Sequence, residues 1–178
     1  MTTNTVNEDF ALLFGQIAEH MEQRYGFVVH DRCDVKDPNT GEFDGLNIWV
    51  EAEQPDEQAA YVLLHLFGHS VQWNVDEELR ALGLDVSLTK TEEELKRIYD
   101  YEKAASQLAL TLLIEMGRGD LAQWISNWFG ADWRWLEHLY RTGEKADYLA
   151  FWRNDEPTLT PLPMPEFTPT LYEARNAF

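Results

Sequence analysis

Hydrophobic positions along the chain change period several times, and each change marks an element. Phe10, Leu13, Phe14, Ile17 and Met21 recur near every 3.6 residues, which predicts an amphipathic helix over 8–25 ended by Gly26. Phe27-Val28-Val29 reads as a short strand with His30 and Asp31 at its end, and Asp37-Pro-Asn-Thr-Gly41 is dense in turn formers. Leu46-Asn-Ile-Trp-Val50 alternates apolar and polar as a half-buried strand does. The two strands are expected to pair as an antiparallel hairpin with a long loop. Pro55-Asp56 then starts a helix whose centre, Tyr61-Val-Leu-Leu-His-Leu-Phe-Gly-His-Ser-Val-Gln-Trp73, is apolar nearly all round and so belongs in a core.

After Trp73 a polar segment to Lys90 holds at most a short helix around Glu77–Leu82. Thr91-Glu-Glu-Glu94 has the form of a capping box and opens the longest helical pattern, 92–116, closed by Gly117-Arg-Gly119. Ala104, Ala105 and Ala109 give that helix a face that a second helix can approach closely. Beyond Asp120 the chain carries Trp124, Trp128, Trp133, Trp135 and Trp152. Two helices, 121–129 and 132–141, are expected there, with Asp120 and Asp132 as N-caps. Most of these rings are expected to complete the core, with a partner or peptide surface as the other reading. From Pro157 five prolines rule out a helix and predict an extended tail over the surface.

The pattern as a whole predicts one α+β, mostly helical domain over 1–178. A small antiparallel sheet packs on the His65/His69 helix, a Trp-rich helical extension covers 120–156, and a Pro-rich tail covers 157–178. With 44% hydrophobic residues, 178 positions suffice for a sizeable core. A net charge of −18 argues against direct nucleic-acid or anionic-membrane binding, which need clustered Lys and Arg. The single Cys33 excludes an internal disulfide and any multi-cysteine metal motif, and makes a reducing compartment the default. The first residues lack a signal-peptide pattern, and no apolar run approaches the ~20 residues that span a bilayer. A cytoplasmic protein is expected.

Candidate chemistry centres on His65 and His69. Four residues apart on a helix, their imidazoles share one face, as when a helix offers two ligands to one zinc ion. Ordinary hydrogen bonds can satisfy a buried pair equally well, so the spacing alone is a weak signal. Gly68 between them admits a close backbone neighbour, and a suitable acid, Glu102, lies downstream beside the Ala face. Two imidazoles, a carboxylate and an open position make a catalytic zinc set; from spacing alone, however, Glu102 reads as an exposed helix carboxylate. His20 and His138 are read as solvated or core-satisfied.

His65-Leu-Phe-Gly-His69 and Glu102-Lys-Ala-Ala-Ser-Gln-Leu-Ala resemble the two motifs of the ImmA/IrrE family of zinc metallopeptidases, His-Glu-x-Gly-His and Glu-x-x-Ala. The similarity covers about residues 8–116, including short strands around a Gly-containing turn, Gly41-Glu-Phe-Asp-Gly45. It implies a zincin fold and one zinc ion held by His65, His69 and Glu102. Tyr61, one turn before His65, and Gln72, nearly one turn after His69, are candidates for the surrounding pocket with Leu66 and Ser106. The family's glutamate, which takes a proton from the attacking water, is replaced by Leu66. Losing a general base typically costs about 10²–10⁴-fold in rate. The expectation is therefore a zinc-binding pseudoenzyme with no catalytic residue, serving an unknown protein or peptide partner. The alternatives are a hydrolase with a relocated base, for which Tyr61, Gln72, Glu78 and Asp100 are candidates, and a metal-free interaction protein.

Overall fold

The structure is a computed structural model that describes residues 8–36, 39–85, 87–88 and 90–178. Helix α1 (Phe10–Tyr25) starts where Asp9 accepts a hydrogen bond from the Leu12 amide, and ends at Gly26 with φ +81°. It buries Leu13, Phe14, Ile17 and Met21, the predicted stripe. Strand β1 (Val28–Cys33) follows. Of the expected turn, Asp37 and Pro38 lie outside the described residues.

The next strands, β2 (Gly41–Phe43) and β3 (Asn47–Glu51), correct two expectations. The Gly41–Gly45 stretch is not all turn, since its first three residues form β2. Nor do β1 and β3 make an antiparallel hairpin: they run parallel, with Val29 opposite Ile48. The reason is local. Asp44 Oδ1 accepts from the Leu46 and Asn47 amides, and Gly45 takes φ +96°, which turns the chain tightly enough for β2 to claim one edge of β3. Only the other edge is left for β1.

Helix α2 (Asp56–Val75) is the centre of the molecule, buried continuously from Ala59 to Trp73. It packs against α1 and against the inner faces of β2 and β3, through Phe43, Ile48 and Val50. Helix α3 (Glu77–Gly83) is capped by Asp76. Helix α4 (Glu92–Glu115) carries the predicted capping box between Thr91 and Glu94. It crosses α2 at Gly68, where a β-carbon would stand 2.1 Å from the Ala105 carbonyl oxygen, so the two backbones touch.

The Trp-rich region is one helix, α5 (Ala122–Thr142), not two. Gly130 suggests a break in the sequence, but it is helical and small because the Glu156 side chain passes where a β-carbon would be, 2.4 Å from Cδ. Asp132 therefore lies mid-helix and buried rather than at an N-cap, and Asp120 sits in a 3-10 turn, Gly119–Leu121. Trp124 is buried as expected, whereas Trp128, Trp133, Trp135 and Trp152 are only half-buried.

From Pro157 the chain runs extended around the core. Ser126 Oγ accepts from the Leu159 amide, Thr111 donates to the Leu162 carbonyl, and Phe167 stacks on Tyr25. The segment does not stay outside the sheet, as a surface tail would. It ends as β4 (Asn176–Ala177), antiparallel to β2, giving a mixed sheet of order β1-β3-β2-β4. Among the described residues no helix is long and apolar enough to cross a membrane.

The crossing at Gly68 yields a paired prediction. Gly68→Ala should destabilise the protein by about 3 kcal/mol or more, because the obstacle is backbone that cannot rotate away. Gly15→Ala, in α1 with nothing within 4 Å, should stabilise it by roughly 0.5–1 kcal/mol. Urea unfolding of the two variants checks both signs.

Candidate metal centre

Three side chains from two helices meet where α4 crosses α2. The Nε2 atoms of His65 and His69 are 2.9 Å apart, and each is 3.0 Å from Glu102 Oε2. Their geometry follows from the crossing. His65 and His69 are one turn apart on α2, and Glu102 lies one turn before Ala105, the residue against Gly68. Both histidines are buried and the Glu102 side chain is 12% exposed, so Glu102 is not the solvated carboxylate that spacing alone suggests.

The partners of the outer ring nitrogens select the tautomer of each neutral ring. Gln72 donates its amide to the Tyr101 carbonyl at 2.8 Å, which turns its oxygen toward His69 Nδ1, also at 2.8 Å. That oxygen only accepts, so His69 Nδ1 carries a hydrogen, and in the neutral ring Nε2 presents a lone pair. Tyr61 donates to Asp132 Oδ2 at 3.1 Å, leaving its oxygen to accept from His65 Nδ1 at a longer 3.5 Å. Burial and the neighbouring Asp132 hold the Tyr61 phenol well above its ordinary pKa, so it remains a donor. His65 Nε2 then also presents a lone pair. Two imidazole lone pairs and a carboxylate face one another about 3 Å apart. Such a triangle repels itself unless a cation sits among its atoms, and a metal ion serves all three at once, where a proton bridges only a pair. The donor set thus fits a metal.

Burial by itself would raise the Glu102 carboxyl, but the His69 and His65 rings outweigh it and hold the group well below the usual carboxylate range. That lowering belongs to rings whose inner nitrogens carry hydrogen; where they present lone pairs instead, a bound cation would take over the same role.

A fourth polar group comes from α5, and sequence reasoning missed it. Asp132 Oδ2 lies 4.0 Å from His65 Nε2. Burial pushes its carboxyl up to about 6, opposed by His65 and by the Tyr61 hydrogen bond, with the Glu102 charge adding to the rise. The signal was present: Asp132 interrupts the apolar line Ile125, Trp128, Trp135, Leu136 and Leu139 at helical spacing, and an acid in such a stripe is a buried acid.

Tyr61 and Gln72 thus stand behind the two imidazoles. Leu66 is fully buried, with its side chain where a β-carbon on Gly41 would be. Ser106 is buried on α4, and its hydroxyl has no hydrogen bond to the cluster. Glu78 and Asp100 are exposed and do not reach it. The other histidines are elsewhere: His20 lies 3.7 Å from Glu115, His30 stacks on Trp49, and His138 packs on Phe151.

The cluster opens into a cavity of about 830 Å³. Tyr61, His69, Glu102 and Asp132 line its floor, while Trp128, Trp135, Tyr148 and Trp152 form an aromatic wall. No protein-family model, curated protein or solved structure matches the chain.

Removing the acceptor behind His69 tests the arrangement. Gln72→Ala should weaken metal affinity by about 10–100-fold, the usual effect of losing an outer hydrogen-bond partner. Competition with a zinc-sensitive chelator measures it. Tyr61→Phe should lose less, because its contact with His65 is longer.

Proposed function

We propose that this chain is a zinc-binding, metallopeptidase-like domain that has lost the family's general base and works as a binding or regulatory module. The observation that carries the reading is the triangle of His65, His69 and Glu102, whose tautomers turn two lone pairs and a carboxylate onto one point. Two histidines and one carboxylate are a set that zinc takes, and zinc bound there would supply Lewis acidity. The resemblance of His65–His69 and Glu102–Ala105 to the ImmA/IrrE motifs supports the same ion. Leu66 cannot accept a proton, and its side chain is turned into the packing against Gly41. Ordinary peptidase chemistry is therefore not expected. The aromatic cavity beside the cluster supplies the apolar surface that a binding site needs.

One observation favours a second reading, a hydrolase with a relocated base. Asp132 is a second carboxylate beside the cluster, anchored by Tyr61 and 4.0 Å from His65. In that reading its oxygen receives the proton that the family's glutamate receives elsewhere.

Metal analysis of chain purified without a histidine tag separates the readings. About one zinc per chain is expected, lost in the His65→Ala, His69→Ala double variant, with no turnover of a peptide panel. Turnover that Asp132→Asn abolishes while zinc is retained would instead establish the second reading. A chain that refuses added zinc contradicts both.

A further inference from the structure

The metal cluster has a neighbour that the pairing of helices does not explain. Strand β4 lies on the edge of β2, and its extension Phe178 reaches the cluster. The Phe178 amide donates to the Gly41 carbonyl at 2.8 Å, and its carbonyl accepts from the Gly41 amide at 3.2 Å and from the Thr40 amide. This register sets the Phe178 ring 4.6 Å from the His65 ring, centroid to centroid, in the wall of the cavity. Three residues earlier, the Arg175 guanidinium lies 3.9 Å over Trp49 and pairs with Glu42 at 3.1 Å.

We infer that the β2 edge is a groove for an extended peptide carrying a basic residue three positions before an aromatic one, and that residues 175–178 occupy it in cis. Main-chain pairing to a strand edge accepts any extended segment, so selectivity falls to the side-chain contacts at the two ends of this register. One end offers Glu42 and Trp49 to a cation. The other offers the His65 ring and the cavity to an aromatic side chain. Cavity space beyond Phe178 is lined by Glu57, Glu102 and Asp132, and the chain carries a charge of −18, so a cationic peptide is favoured on approach as well. The cis segment is suited to exchange. Its strand is two residues long and Arg175 is half exposed; besides main-chain bonds and the contacts of Arg175 and the Phe178 ring, it is held by Asn176 donating to the Gly83 carbonyl and by the Thr40 hydroxyl donating to the Phe178 carbonyl.

This inference rests on the proposed metal centre only in that Phe178 is seated against one of its ligands. A labelled Glu-Ala-Arg-Asn-Ala-Phe peptide, the sequence of residues 173–178, tests it by fluorescence anisotropy against wild type and an Arg175→Ala, Phe178→Pro variant. Proline at 178 removes both the ring and the amide that bonds Gly41. The released variant should bind the peptide at least tenfold more tightly than wild type, and a peptide with Ala in place of Phe should not bind. Equal or absent binding to a variant that keeps its circular dichroism would overturn the groove, whatever the zinc content. Zinc content on the same samples reports separately on the metal centre. Should the variant not fold, hydrogen exchange on wild type decides: the Phe178 amide should exchange at least 100-fold faster than those of Ile48 and Val50, and equal protection would overturn the proposal.

Discussion

The contact between Gly68 and Ala105 is the constraint on which the structure depends. Two helices brought to backbone contact cannot slide or roll freely, since every other side chain at the crossing is then fixed in place. A β-carbon at position 68 would overlap the Ala105 carbonyl, so the crossing needs glycine on one helix and a small residue on the other. His69 is the next residue after the contact on α2, and Glu102 lies one turn before it on α4. The distances within the triangle are thus consequences of packing, and little freedom is left to the three side chains.

The rest of the chain finishes what the crossing begins. Gln72 and Tyr61, one turn or less from the histidines on α2, set the tautomers of the rings. Helix α5 brings Asp132 to the same place and lends its Trp-bearing side to the cavity. The last residues return to the sheet edge and put Phe178 over His65. The aromatic half of the chain is therefore part of the site, and its half-buried rings serve both the core and the cavity.

Much of this was legible in the sequence where local signals agree. The stripe of α1, the all-round apolar α2 and the Thr91 capping box each name an element through its own residues. The helix-borne histidines, and Gly68 as a place of close approach, were readable for the same reason. What escaped depends on residues distant in sequence. The edge on which β1 pairs is decided by β2 taking the other edge of β3. The small residue within α5 at Gly130 answers to Glu156, whose side chain fills the space beside it. Dividing the region into helices 121–129 and 132–141 made Asp132 a cap and hid a buried acid. The pairing of β4 was out of reach because two residues of strand carry no periodic signal.

The central claim is that the triangle of His65, His69 and Glu102 exists to hold a cation. X-ray absorption at the zinc edge, on protein loaded with one equivalent of zinc, tests it most directly. The account predicts a low-coordinate shell with two imidazoles and carboxylate oxygen at about 2.0–2.2 Å. A shell containing sulfur, which only Cys33 or a methionine can supply, or one of oxygens without imidazole, would contradict it.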